Sequence, residues 1–291
     1  MSSLEKILHI AFKEKWSTGH FNFSESDQLR AICEAAAELK SPVLVGTSEG
    51  EAKHMGYLEA RALVDAFKQE LGVPIFLNSD HHKSVAAAKR AIDAGYDSIH
   101  IDLSASPFEE NVRGTKEIVE YANSKFSIFN LQFSIEGELG YLRGDSKIEK
   151  EKIEVKKEDY TNPDEAGRFV QKTGINRLAI SVGNIHGISL DEPDLDIELI
   201  KKIRTALPEN VALVLHAGSG IPDEMIKKAI EAGISNIHIN TDIRLAYASA
   251  LRAQLEQSEE TTPYKFDASA REALKKVVKE KLELFGSVNR I

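Results

Sequence analysis

The sequence predicts an α/β protein, a (β/α)8 TIM barrel with a C-terminal helical extension, and three observations carry that reading. Short apolar or β-branched runs recur eight times along the 291 residues, with about 20 to 45 residues between them. The intervening segments carry apolar residues at i, i+3 and i+4 and often end in glycine. The length suits one domain of this kind, spanning 1–291, with no linker rich in Pro, Gly or Ser to divide it. A doubly wound sheet is the alternative for alternating strands and helices, and the count of eight favours the barrel.

In chain order the strand-like runs are GHFNF (19–23), PVLVG (42–46), PIFLN (74–78), SIHID (98–102), FSIEGE (133–138), LAISVG (178–183), ALVLHA (212–217) and NIHIN (236–240). SDQLRAICEAAAELK follows the first, EARALVDAFKQEL the second, SVAAAKRAIDAG the third and PDEMIKKAIEAG the seventh, each with a helical apolar stripe. DASAREALKKVVKEKLELFG reads as a long amphipathic helix beyond the last barrel unit. Residues 141–160, YLRGDSKIEKEKIEVKKEDY, are dense in charge and read as a loop, with a mobile lid as its functional reading.

Composition narrows the function. Apolar residues make up 42% and charged residues 29%, as in an ordinary soluble globular protein. A net charge of −9 argues against nucleic-acid binding. No run of about 18 apolar residues suggests a membrane span, and the N-terminus lacks the apolar core of a signal peptide. A single cysteine, Cys33, excludes an intramolecular disulfide and a cysteine metal cluster, so a cytoplasmic protein is expected.

All strand C-termini of such a barrel open on one rim, where active sites lie. The residues closing these runs are Asn22, Ser48, Asp80 with His81 and His82, Asp102, Glu136 with Glu138, Asn184 with His186, His216 with Ser219, and Asn240 with Thr241 and Asp242. His81, His186 and His216 have the chemistry of a three-imidazole metal site with an open fourth position, joined by carboxylates from two other strands. Adjacent residues on a strand face opposite ways, so only one of His81 and His82 is expected to bind. His9, His20, His54 and His100 read as surface or core residues. AGSG at 217–220 precedes a helix that begins near Pro222, with Asp223 and Glu224 in its first turn. Gly218, Ser219 and Gly220, with Asn240 and Thr241 alongside, are therefore candidates for a phosphate pocket at a helix N-terminus.

SDHH, PFEEN, EGELG, VGNIHG, LHAGSG and NTD, in this order, resemble the class II fructose-bisphosphate and tagatose-bisphosphate aldolases over nearly the whole chain. The resemblance implies zinc-dependent aldol cleavage of a ketose 1,6-bisphosphate, with fructose 1,6-bisphosphate split into dihydroxyacetone phosphate and glyceraldehyde 3-phosphate as the default. It implies His81, His186 and His216 as Zn²⁺ ligands and Asp80 as the group that exchanges a proton with the C4 oxygen. Asp102 and Glu138 resemble carboxylates that flank the metal and hold a second cation position. Asn22 and Ser48 look like triose contacts, and Gly187, Ala217, Ser219, Asn240 and Thr241 occupy the places that cradle phosphate. A monovalent cation (Na⁺ or K⁺) near the carbonyls of Ile185, Gly187 and Ala217, and a homodimer or homotetramer, are also implied. No lysine lies in an apolar strand, which argues against a Schiff-base mechanism.

The chain departs from the family pattern at three places. RGDSK replaces the usual acidic loop, leaving Asp145, Glu149 or Glu151 to move the C1 proton, with Glu136 and His82 as fallbacks. His238 stands where an asparagine is usual, and HAGSG where HGGSG is common. A tagatose-bisphosphate aldolase and a non-catalytic barrel subunit partnering an aldolase are the rival readings. The retained histidines speak against the second.

Overall fold

The structure, a computed structural model, describes residues 4–126, 133–148, 153–188 and 194–291. Ten strands are present among them: β1 (Thr18–Asn22), β2 (Val43–Ser48), β3 (Ile75–His82), β4 (Ser98–Ile101), β5 (Ser134–Leu139), β6 (Gly144–Ile148), β7 (Arg177–Ile180), β8 (His186–Ile188), β9 (Ala212–Leu215) and β10 (Ile234–Ile239). Eight of them close a barrel in the order β1-β10-β9-β7-β5-β4-β3-β2, and every pairing is parallel. These eight are the runs expected from sequence, with ends displaced by up to four residues.

Parallel strands require crossovers, and the helices supply them on the outside. Residues facing outward, such as Val43, Val45, Ile75, Leu77, Ile99 and Ile101, join the helix faces in one continuous apolar core. The helix Leu4–Glu14 buries Leu4, Ile7, Leu8 and Ala11, and Leu4 and Leu8 cluster with Leu44, Phe76 and Ala212 near the strand starts. The C-terminal helix Ala268–Leu284 buries Ala270, Leu274, Val278 and Leu282, a four-residue spacing that lays one stripe against the helices Ser26–Glu38 and Thr241–Gln257.

One feature differs from the sequence expectation, and one from such barrels in general. The charged segment 141–160 is not loop throughout. β6 pairs with β8, the short strand that begins with His186, and Arg143 O accepts the His186 N–H at 2.7 Å. Arg143 also grips Asp159 with two bonds of 2.6 and 2.9 Å, anchoring the far end of the segment. Glu149 and Glu151 lie outside the described residues; Asp145 is on β6. Second, the barrel lumen is polar rather than filled by branched aliphatics. His20, Asn78, His100, Glu136, Arg177, Asn236 and His238 all lie inside it, none more than 5% exposed.

Candidate active site

The polar strand ends gather on one rim because side chains two apart on a strand share a face. Asn22 follows His20 in this register, Asp80 follows Asn78, and Glu138 follows Glu136, so each rim residue stands on a polar neighbour one layer down. β3 breaks this period once. Its pairing with β4 shifts between Ser79 and His82, and His81 takes φ 44°, in the left-handed region. A non-glycine residue there costs about 1–2 kcal/mol. The bulge turns His81 into the rim, while His82 points outward with its Nε2 3.0 Å from Tyr57 Oη.

The His81 ring centre lies 4.9 Å from that of His186 and 4.5 Å from that of His216. His100 joins them at 4.6 Å. It was expected as a surface or core residue; it is fully buried in the floor of this site. His81 Nδ1 meets Asp102 Oδ2 at 2.9 Å and Glu138 Oε2 at 3.7 Å. His216 Nε2 meets Glu136 Oε1 at 2.6 Å, which leaves its Nδ1 for a ligand. Glu136 is itself 3.0 Å from Arg177 Nη1 and fully buried. It therefore braces His216 from below and is not open to the cleft as a C1 base. His82, outside the rim, is not placed for that role either.

These residues suit a divalent cation. Asp80, His81, His100 and His216 offer nitrogen and oxygen atoms all within 4.8 Å of one another, as do His81, His100, Asp102 and Glu138. His100 Nε2 stands 3.2 Å from Glu138 Oε2, yet neither atom has a hydrogen-bond partner among the described residues. A buried imidazole nitrogen and a buried carboxylate oxygen converging in this way suit a cation as their shared partner. Charge agrees. Burial would raise the Asp80 carboxyl, but the His81, His100 and His238 imidazoles outweigh it and hold Asp80 well below the usual range. Burial would lower His81, and the Asp80 and Asp102 carboxylates reverse this and raise it. His186 is lowered to about 3 by burial, then by the neighbouring His81 and His216, and so is neutral and ready to ligate.

Asp80 is held at both oxygens. Asn22 Nδ2 donates to Oδ2 at 2.9 Å, and His238 Nδ1 lies 3.2 Å from Oδ1. Asn22 Nδ2 also reaches Glu51 Oε2 at 2.9 Å, and Glu51 accepts the Ser48 N–H at 2.7 Å. Ser48 thus caps the helix Glu49–Met55, and its hydroxyl accepts the Glu51 N–H.

A narrow cleft behind the histidines is lined by Gly187, His216, Ala217, Ser219, Asn240 and Thr241. The helix Thr241–Gln257 begins in this cleft, and the loop leading to the helix Asp223–Ala232 lines it through Ala217 and Ser219. Ser219 Oγ accepts the Asp242 N–H, and Gly218 donates to His238 O at 3.0 Å. A Cβ on Gly218 would sit 2.8 Å from Ile237 Cγ2, so glycine lets the loop lie flat on β10. Ala217 takes φ 56°, which glycine would adopt without strain. Gly220 is the exposed end of the loop. On the other side of His81 and His186 a cavity of about 570 Å³ opens toward Lys83, Asp102, Ser104 and Tyr141.

Sequence reasoning missed His100, Glu51 and the inward role of His20. The signal for His20 and His100 was a polar residue at every second position of otherwise apolar strands, as in HFN (20–22) and SIHI (98–101).

Comparison with known proteins agrees with this architecture. The family described as fructose-bisphosphate aldolase class-II matches residues 2–290. A fructose-bisphosphate aldolase of Staphylococcus aureus is 37% identical, covering 99% of this chain and 98% of its own length. One from Geobacillus stearothermophilus is also 37% identical, with 98% and 96% covered. Among solved structures, the YdjI aldolase of Escherichia coli K12 superposes with a TM-score of 0.82 at 31% identity over 99% of this chain and 98% of that one. A putative fructose-1,6-bisphosphate aldolase from Coccidioides immitis gives 0.84 at 26% identity, with 98% and 96% covered. The chain belongs to the class II fructose-bisphosphate aldolase family and is an aldolase, a carbon–carbon lyase.

Proposed function

We propose that this aldolase cleaves and forms the C3–C4 bond of a ketose 1,6-bisphosphate with Zn²⁺ as its metal, and that fructose 1,6-bisphosphate is the substrate. The observation that carries the reading is Asp80 standing beside His81, in a cleft that the histidine group shares with the N-terminus of the helix Thr241–Gln257. His81, His186 and His216 would hold the metal. When bound, Zn²⁺ supplies Lewis-acid stabilisation of the negative charge that develops on the three-carbon fragment.

The remaining work falls to the chain. Ser219, Asn240 and Thr241 bind the C1 phosphate and orient the ketose by a group remote from the broken bond, while Gly218, whose N–H is taken by His238 O, shapes the loop. Asp80, kept ionised by its imidazole neighbours, takes the proton of the C4 hydroxyl in cleavage and returns it in condensation. Asn22 and Ser48 contact the triose part. The aldehyde half leaves through the cavity beside Lys83 and Ser104. Asp145, Glu149 or Glu151 moves the C1 proton.

The test is a coupled assay of purified protein with fructose and tagatose 1,6-bisphosphates, with and without a chelator. Cleavage of the fructose compound, abolished by the chelator and restored by Zn²⁺, is expected. Faster cleavage of the tagatose epimer would change the sugar, and turnover of neither would overturn the reading.

A further inference from the structure

We propose that His238 is a positioning residue for the aldol reaction: it holds one oxygen of the Asp80 carboxylate while Asn22 holds the other. The inference rests on the function proposed above. The resemblance alone implies the opposite, because the asparagine usual at this position touches substrate. Here both ring nitrogens of His238 are engaged inside the protein. Nδ1 lies 3.2 Å from Asp80 Oδ1 and Nε2 lies 3.1 Å from Asn236 Oδ1. The Asn236 amide cannot turn away without loss, since its Nδ2 donates to Thr18 Oγ1 at 3.0 Å and to Thr18 O at 3.3 Å. A neutral ring carries one N–H, which from Nδ1 donates to Asp80 Oδ1, while Nε2 is covered by the Asn236 amide oxygen; His238 lines the cleft with neither nitrogen free of a protein partner.

The ring is also fixed in plane. It stacks on His20 with centroids 3.7 Å apart and 13° between planes. His20 is fixed in turn by Asn78, whose Nδ2 stands 3.2 Å from its Nε2. β2 makes room for this stack: a Cβ on Gly46 would lie 2.1 Å from His20 Nε2. Four strands and the side chains of Asn236, Thr18, His20 and Asn78 thus support one contact to Asp80. The opposite oxygen has matching support through Asn22, Glu51 and the Ser48 backbone. A carboxylate gripped at both oxygens cannot rotate about its terminal bond, so the lone pair aimed at the cleft stays aimed there.

Two replacements separate the nitrogens. His238→Asn places an amide nitrogen near Nδ1, and His238→Gln places one near Nε2. Both are assayed as zinc-loaded enzyme with whichever of fructose or tagatose 1,6-bisphosphate the parent cleaves faster. His238→Gln should lower kcat about 10- to 100-fold with KM within about threefold, and His238→Asn should recover most of that loss. Equal kcat losses in the two, or a raised KM with kcat intact, would overturn the proposal. Crystal structures of parent and His238→Gln give a readout independent of turnover. The Asp80 carboxylate plane should rotate in the variant, and an unchanged plane overturns the proposal even if the parent cleaves neither sugar. A parent that cleaves neither sugar while the plane still rotates would sink the proposed function and leave the positioning intact.

Discussion

Replacing Glu136 with glutamine tests whether the polar lumen is a support for the metal site. Glu136 and Arg177 are paired laterally between β5 and β7, at 3.0 Å, and both are fully buried. Burial would raise Glu136, but Arg177, then His100 and His216, hold it well below the usual carboxylate range. Removing its charge strands a buried guanidinium whose nearest remaining acceptor is Asn78 Oδ1, at 2.8 Å from Nη2. Breaking a buried pair in this way costs about 3–5 kcal/mol. At about 2 °C per kcal/mol for a chain of this size, Glu136→Gln should lower Tm by about 6–10 °C. The second consequence is local. The carboxylate accepts from His216 Nε2 at 2.6 Å and so orients the ring, leaving Nδ1 for the metal. An amide oxygen keeps the bond and loses the charge, so metal affinity should fall about 10- to 100-fold. Calorimetry of metal-free protein reads the first effect and competition with a chromophoric chelator reads the second. The double variant Glu136→Gln with Arg177→Met removes the stranded charge and should regain stability, while metal affinity stays low. A single variant within about 1 kcal/mol of the parent, or a double variant no more stable than the single, would refute the argument.

Three further outcomes follow from the site. Asp80→Ala should lower kcat by about 10²–10⁴-fold while zinc content stays near one per chain, measured by turnover and elemental analysis on the same sample; loss of zinc instead would make Asp80 a ligand. His81 is raised in the metal-free protein, so zinc must displace its proton: titration calorimetry in buffers of different ionisation enthalpy should show proton release at neutral pH, and affinity should fall as pH drops. Buffer-independent heats would contradict this. Ala217→Gly should relieve the left-handed strain at φ 56° and raise stability by about 1 kcal/mol in denaturant unfolding, and a destabilised variant would show that the alanine methyl is needed for packing.

The strand–helix rhythm and the rim residues were legible because both depend on local order. Apolar runs and i, i+3, i+4 stripes follow from the periods of strand and helix, and parallel barrel strands must end on the same rim. His81, His186 and His216 could therefore be grouped from three distant segments without knowing a single distance. Other properties belong to the closed barrel. His100 looked like a core residue in SIHID, and only closure brings its ring against His81 and Glu138. His81 was preferred to His82 from sequence, and the bulge on β3 is what turns it inward. Glu136 read as a candidate base until its partner on β7, 41 residues away in sequence, proved to be a buried arginine. β6 was hidden in a charged segment because its partner is the backbone beside His186, and side-chain patterning carries no record of backbone pairing. Sequence determines which groups a strand presents and at what period. The contacts among groups from different strands are set by register, bulge and closure, which are properties of the whole barrel.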